Sequence, residues 1–306
     1  MWPPRLYGER LRGWNRPMMN HPQSAPLAEA FRSLHHNGSA PLVLVNVWDA
    51  ASARLVEEAG AKAIATSSSA ISWSMGFPDG NRLPAGLAVS VLERIVAATS
   101  LPVTADIETG YAGTGDGFDD RALRDTILAV LDAGAVGINI EDSGDRPLTD
   151  AGEQSRRLGL VREAADAAGV DLFINARTDT YLSGSYPESA FEETVTRAGA
   201  YLAAGASGIF VPGLTDLHVL HELSRRIAAP LNALAGVGAQ SVGELHDAGV
   251  QRISIGGNTA KAAYATVARV AGEVLGDGNW SELAGARSHA AMDALFGGQP
   301  GKRGPI

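Results

Sequence analysis

Along this chain, helically spaced alanine-rich segments give way again and again to short β-branched runs. Five times the helical segment ends in glycine just before the run begins: EEAGAKAIATS, LDAGAVGINIED, DAAGVDLFINAR, LAAGASGIFVPG and HDAGVQRISIGG. Gly60, Gly134, Gly169, Gly205 and Gly249 stand where a helix end needs a left-handed residue. The runs that follow are apolar on both faces, as parallel strands covered by helices are. Residues 41–47, 102–107 and 229–235 complete a set of eight, with strand ends near Val47, Thr66, Asp106, Glu141, Arg177, Val211, Ala233 and Ile255. Amphipathic stretches at 49–59, 86–99, 119–133, 153–168, 187–204, 215–227, 241–248 and 258–275 separate them. Eight alternations predict an α/β fold, a (β/α)8 TIM barrel in one domain. A doubly wound sheet would carry a glycine fingerprint after its first strand, and no G-x-G-x-x-G stands there. An extra N-terminal helix (about 25–37) and a C-terminal one (about 280–295) are expected to cap the barrel or contact a second subunit.

Composition narrows the function. The 306 residues suit a barrel of about 250 plus extensions. A net charge of −9 argues against a nucleic-acid partner, and zero cysteines exclude thiolate metal sites and a cysteine acid. No apolar run reaches the roughly 18 residues of a membrane span, so a cytoplasmic protein with no membrane partner is expected. Residues 1–23 carry no apolar core of a secretory signal. They are expected to be a disordered extension, or the product of a start placed upstream of Met18 or Met19, and 24–306 the catalytic domain.

In a barrel, chemistry gathers at the C-terminal ends of the strands. That filter selects Asp49 after the first strand and Ser67, Ser68 and Ser69 after the second. It then selects Asp106 and Glu108, Glu141 and Asp142, Arg177 and Asp179, Asn232, and Gly256 with Gly257. Carboxylates without histidine or cysteine suit Mg2+ or Mn2+. Asp106 and Glu108, two apart, face one way if the strand stays extended; the alternative is that these acids cap helices or pair with Arg121, Arg124 or Arg146. Arg177 could grip a substrate carboxylate with its fork or pair internally with Glu141 or Asp179. Gly256-Gly257 reads as a tight turn, and GDGFDD (115–120) as a solvated loop with a helix cap. The seven histidines fall in helices or termini and are expected at the surface.

NVWDAASA (46–53), ATSSSAISWSMGFPD (65–79), TADIETGYAG (104–113), INIED (138–142) and NARTD (175–179) together resemble the isocitrate lyase/phosphoenolpyruvate mutase superfamily, over about residues 41–260. The resemblance implies that Asp106 ligates Mg2+ directly while Asp79, Glu108 and Glu141 hold its waters. It implies that Ser67, Ser68 and Arg177 bind substrate carboxylates, with Ser69, Trp48 and Asn232 counted beside them, and that Asp79, Glu141 and Arg177 serve the reaction. It also implies a homotetramer, with 280–295 the segment packed on a neighbouring subunit.

Two departures shape the expected reaction. The lyases' Lys-Arg-Cys-Gly-His motif is missing from 141–157, as are the lysine and asparagine of the mutase branch, and the sixth strand ends in Val-Pro-Gly where that branch has histidine. The enolate-stabilising half of the machinery is therefore present without the proton-delivering half. That combination favours a Mg2+-dependent carbon–carbon lyase or decarboxylase acting on a small 2-oxo or hydroxy carboxylic acid through an enolate. The alternatives are a phosphoenolpyruvate mutase or phosphonopyruvate hydrolase type of P–C bond enzyme, and a non-catalytic carboxylate-binding barrel. Residues 142–157 are expected to form a lid, with Tyr111 a nearby hydroxyl that could protonate the product.

Overall fold

The computed structural model describes residues 24–36, 38–113, 115–143, 148–182 and 189–297. The extension 1–23 and part of the expected lid (Gly144, Arg146 and Pro147 among it) lie outside them.

The strands are β1 (Leu42–Leu44), β2 (Asn46–Val47), β3 (Ile64–Thr66), β4 (Val103–Asp106), β5 (Gly137–Glu141), β6 (Phe173–Arg177), β7 (Gly208–Phe210), β8 (Leu231–Leu234) and β9 (Arg252–Ser254). All pairings are parallel, in the order β1-β9-β8-β7-β6-β5-β4-β3-β2. β1 and β2 are two halves of the expected first strand, broken at Val45. The lower half bonds β9 and the upper half bonds β3, which closes the barrel. Asn46 spans the seam: its Nδ2 donates to the Thr66 carbonyl at 2.8 Å, and its Oδ1 accepts from the N–H groups of Ile255 and Gly256 at 3.0 and 2.9 Å.

The helices are α1 (Ser24–Leu34), α2 (Ala50–Glu58), α3 (Ser68–Ser74), α4 (Ala85–Ala98), α5 (Asp120–Asp132), α6 (Ala151–Ala167), α7 (Ala190–Ala203), α8 (Leu217–Arg226), α9 (Val242–Asp247), α10 (Asn258–Gly276) and α11 (His289–Gly297). Their starts follow from side-chain caps. Asp49 and Ser52 make a capping box on α2, and Ser241 with Glu244 another on α9. Asp119, in the GDGFDD loop, caps α5 by accepting from Arg121 and Ala122 N–H. The five glycines that end the repeated phrase all adopt positive φ, as a left-handed helix end requires.

α1 plugs the lower end of the barrel. Phe31 is fully buried and clusters with Leu42, Leu44, Ala63, Val136 and Phe173, near the starts of the strands. A Cβ on Gly137 would sit 2.6 Å from Phe31 Cε1 and 2.9 Å from Thr104 Oγ1. Gly137→Ala is therefore expected to cost about 1–3 kcal/mol, the usual range for overpacking a core. A urea melt reads this, and a variant as stable as the parent would show that the plug has slack. His35 belongs to the same plug, contrary to the surface position expected of the histidines. It stacks on Phe173 at 3.9 Å, its Nδ1 bonds the Phe31 carbonyl at 2.8 Å, and burial together with the Arg252 charge pushes it down to about 3.

The lid expected over 142–157 is corrected from 151 onward. Those residues begin α6, which Asp150 caps, and Gln154, Arg157 and Leu158 are buried there. At the C-terminus the expected single helix is a short 3-10 turn (Ser281–Leu283) followed by α11. α11 lies on α2 of its own chain, with Arg54 Nε donating to the Leu295 carbonyl at 2.7 Å.

Candidate active site

The mouth of the barrel collects most of the expected residues. β4 ends on Asp106, whose Oδ2 accepts from the Ser68 hydroxyl at 2.7 Å and from its N–H at 3.1 Å. Ser67 caps α3 and shares a 3.1 Å hydroxyl contact with Ser69. The three serines are therefore a cap and the first turn of a helix, and Ser68 is committed to orienting Asp106. Asp106 Oδ1 has no protein donor among the described residues.

Glu108 does not continue an extended strand beside Asp106. β4 stops at Asp106, and Glu108 has φ 51°. Among the described residues only Asn81, Glu108 and Tyr111 are non-glycine with positive φ. All three sit at this mouth. Such strain persists where surrounding contacts over-determine it, and it concentrates at functional sites. Here Asn81 supplies those contacts: its N–H donates to Glu108 Oε2, and its Oδ1 accepts from the Thr109 hydroxyl at 2.8 Å. Glu108 is buried, and its Oε1 has no hydrogen-bond partner. Burial, with the Asp106 and Asp79 charges, pushes Glu108 up to about 7, against the Asn81 N–H. Asp79, more exposed, is raised by desolvation and by Asp106.

Arg177 ends β6 between two acids. Its Nε and Nη2 grip Asp179 at 2.6 and 2.9 Å, and Nη1 meets Glu141 Oε2 at 2.5 Å. Both internal pairs therefore form together. A guanidinium has five donor protons, so these two acids leave two of them unused. Burial and the neighbouring Asp179 and Asp106 push Glu141 upward against the pull of Arg177, and Ser143 Oγ donates to its other oxygen at 2.7 Å. Arg121 and Arg124 pair elsewhere, with Asp125 and Glu163.

Among the described residues no three His, Cys, Asp or Glu groups gather closely enough to hold a metal by themselves. One carboxylate with an open oxygen, beside an orphaned buried Glu108 oxygen, suits a small hard cation that keeps most of its waters, as Mg2+ does. The all-protein cage of six to eight oxygens that Ca2+ favours is not what these residues form.

Three expected site residues lie elsewhere. Asn232 is fully buried inside the barrel; its Nδ2 donates to the Ala233 carbonyl and Ser254 Oγ, and its Oδ1 accepts from Asn175. It sits two residues short of the end of β8, so it points into the interior layer. Asp142 is buried and turned toward α7. Asp49 is occupied by its capping box.

One family profile, that of phosphoenolpyruvate phosphomutase, matches residues 31–275. The chain belongs to that family. It is an enzyme of the isocitrate lyase/phosphoenolpyruvate mutase superfamily. It is 36% identical over 227 residues to an uncharacterized protein of Mycobacterium tuberculosis strain H37Rv, covering 74% of this chain and 81% of that one. It is 28% identical over 218 residues to the 2-methylisocitrate lyase of Escherichia coli K12, covering 66% and 70%. A solved structure of a phosphonomutase candidate from Burkholderia cenocepacia J2315 aligns with a TM-score of 0.74 at 43% identity, over 79% of this chain and 98% of that one.

Within this family member one basic residue went unseen in the sequence. Lys261, on the first turn of α10, holds its Nζ 5.9 Å from the Trp73 ring centre and exerts a charge effect on Asp79. Gly257 makes this approach possible: a Cβ there would meet Ser69 Oγ at 2.8 Å and the Trp73 ring at 3.1 Å. Trp48, after β2, lies 6.3 Å from Tyr264 of α10 between ring centres. Lys261 stands a helical turn beyond a strand end, outside the filter that found the acids.

Proposed function

We propose that this enzyme is a Mg2+-dependent carbon–carbon lyase or decarboxylase acting on a small 2-oxo or hydroxy carboxylic acid. The observation that carries the reading is the Asp106–Glu108 corner, with its open carboxylate oxygens, beside an arginine that has two donors free. Asp106 would hold the metal directly, oriented by Ser68, and Asp79, Glu108 and Glu141 would hold its waters. A bound Mg2+ would polarise the substrate's oxygens and stabilise the negative charge that develops beside the broken bond. The free donors of Arg177 would orient a substrate carboxylate, with Ser67, Ser69 and Trp48 lining the approach. Tyr111 stays protonated, its hydroxyl held well above its ordinary range by burial and the surrounding acids. A hydroxyl raised in this way is a weaker acid than a free tyrosine, so it would return a proton to the product only where the enolate is the stronger base.

A second reading, a P–C bond enzyme, is favoured by the 43% identity to the phosphonomutase candidate. Turnover of oxaloacetate, 2-methylisocitrate and phosphonopyruvate with Mg2+ separates the two. Cleavage of phosphonopyruvate alone would overturn the first. A tetramer is part of the proposal, supported by the exposed Val267, Leu275 and Trp280 along α10 and just after it. Light scattering on the purified chain reads the subunit number.

EDTA is expected to abolish activity and Mg2+ or Mn2+ to restore it; undiminished turnover by verified metal-free protein would sink the metal. The same site predicts a pH effect. The Glu108 carboxyl is held near 7 in the fold against an ordinary 4.5. Its contribution to the stability of metal-free protein is therefore present in full below 4.5 and lost as pH rises through about 7. Mg2+ should bind with release of that proton, and more weakly below pH 7. Calorimetry at pH 6 in buffers of different ionisation enthalpy measures the release, and a proton count of zero refutes it.

A further inference from the structure

Asp142 follows the site glutamate in sequence, yet its carboxylate faces α7. It is fully buried. Its Oδ2 accepts from the Tyr201 hydroxyl at 2.7 Å and from Arg197 Nη1 at 3.1 Å. Its Oδ1 accepts from the Asp179 N–H at 3.1 Å. Its own N–H donates to the Arg177 carbonyl at 3.1 Å, and its carbonyl accepts from the Thr149 N–H at 2.9 Å. Arg197 Nη1 also donates to the Thr149 carbonyl at 2.7 Å and to the Tyr201 oxygen at 3.0 Å, while its Nε holds Glu193.

A stability role alone accounts poorly for this arrangement. A buried ion pair with a tyrosine is no more stabilising than well-packed apolar residues of the same volume. What apolar residues could not do is fix a peptide N–H in the strand-to-loop turn at 177–179, that of Asp179, which grips the outer edge of Arg177. The Arg177 carbonyl is held by the backbone N–H of residue 142 whatever its side chain. A continuous path of hydrogen bonds therefore runs from Tyr201 and Arg197 on α7, through Asp142, to the Arg177 fork.

We infer that Asp142, Arg197 and Tyr201 are positioning residues that hold the Arg177–Asp179 pair at the angle required to receive a substrate carboxylate. The inference rests on the reading in which Arg177 binds that carboxylate. Tyr201→Phe removes one donor to Asp142 and leaves the ring in place, so Asp142 relaxes toward Arg197 and loosens its hold on the Asp179 N–H.

The test uses the full chain with Mg2+ and two readouts. The first is hydrogen exchange of the Arg177 Nε–H in arginine-labelled protein, its resonance assigned by its loss in Arg177→Lys. The second is KM and kcat for oxaloacetate. Tyr201→Phe is expected to speed that exchange by about tenfold and to raise KM by about as much with a smaller change in kcat, as directly coupled contacts do. In an Arg177→Lys background the same substitution should leave KM unmoved. Should Tyr201→Phe fail to fold, Arg197→Lys is read in the same way. Unchanged exchange at Arg177 in a folded variant overturns the inference, as does an equal KM effect in both backgrounds. If the parent enzyme turns over none of oxaloacetate, 2-methylisocitrate or phosphonopyruvate, the functional reading falls, and the exchange measurement still decides this one.

Discussion

Asp106→Asn is expected to lower kcat/KM by roughly a thousandfold or more, about 4 kcal/mol, with loss of Mg2+ binding. Asparagine keeps an oxygen where Asp106 Oδ2 accepts from the Ser68 hydroxyl and N–H, so the α3 start is preserved. What disappears is the negative charge and the open anionic oxygen. Asp106→Ala should lose activity to the same degree and melt slightly lower, because Ser68 then lacks its acceptor. The barrel core lies below this carboxylate, and both variants are expected to fold. Calorimetric Mg2+ titration together with a thermal melt checks the claim. A folded asparagine variant that still binds Mg2+ at the parent's affinity would remove Asp106 from the metal site.

Arg177→Lys should weaken catalysis by about 2 kcal/mol or more. Arginine spans two acids at once, with Nε and Nη2 on Asp179 and Nη1 on Glu141. A lysine ammonium is a point charge on a flexible stem and reaches one of them. The other, Glu141 or Asp179, is then left buried and unpaired, so a fall in stability should accompany the fall in kcat/KM. The two effects separate by measurement at a temperature where both proteins are fully folded. Wild-type kinetics in the lysine variant would confine Arg177 to a structural role.

Much of the barrel was legible because its signals are local. Five of the helical segments announce their end with a glycine, and all five such glycines adopt the left-handed conformation. The acids on β4 and β5 and the arginine on β6 were legible for the same reason, since a strand end in this fold opens on the mouth. What escaped depends on more distant partners. No helix was foreseen at 68–74 because SSAISWS is rich in residues that favour caps and turns over helix interiors. Its helix forms with Ser67 as cap and Ile71 packed in the core. Asn232 was placed at the mouth because a shift of two positions along a strand keeps the same face but changes the layer. Asp142 was grouped with Glu141, although adjacent strand residues point to opposite sides. The two partners of Arg177 were foreseen as alternatives; the fold brings both acids to it together.

The seam at Asn46 has a consequence for how the chain becomes a barrel. β1 and β9 pair residues about two hundred positions apart, Leu42 with Arg252 and Leu44 with Ser254, whereas the other neighbours meet through one short crossover each. Closing so long a loop carries the largest chain-entropy cost of any pairing in the sheet. The seam should therefore be the last joint to form during folding and the first to part in the native state. Because a single amide side chain bridges it to β3 and to the turn after β9, the Ile255 and Gly256 amides should exchange with solvent through partial openings that leave β4 to β7 intact.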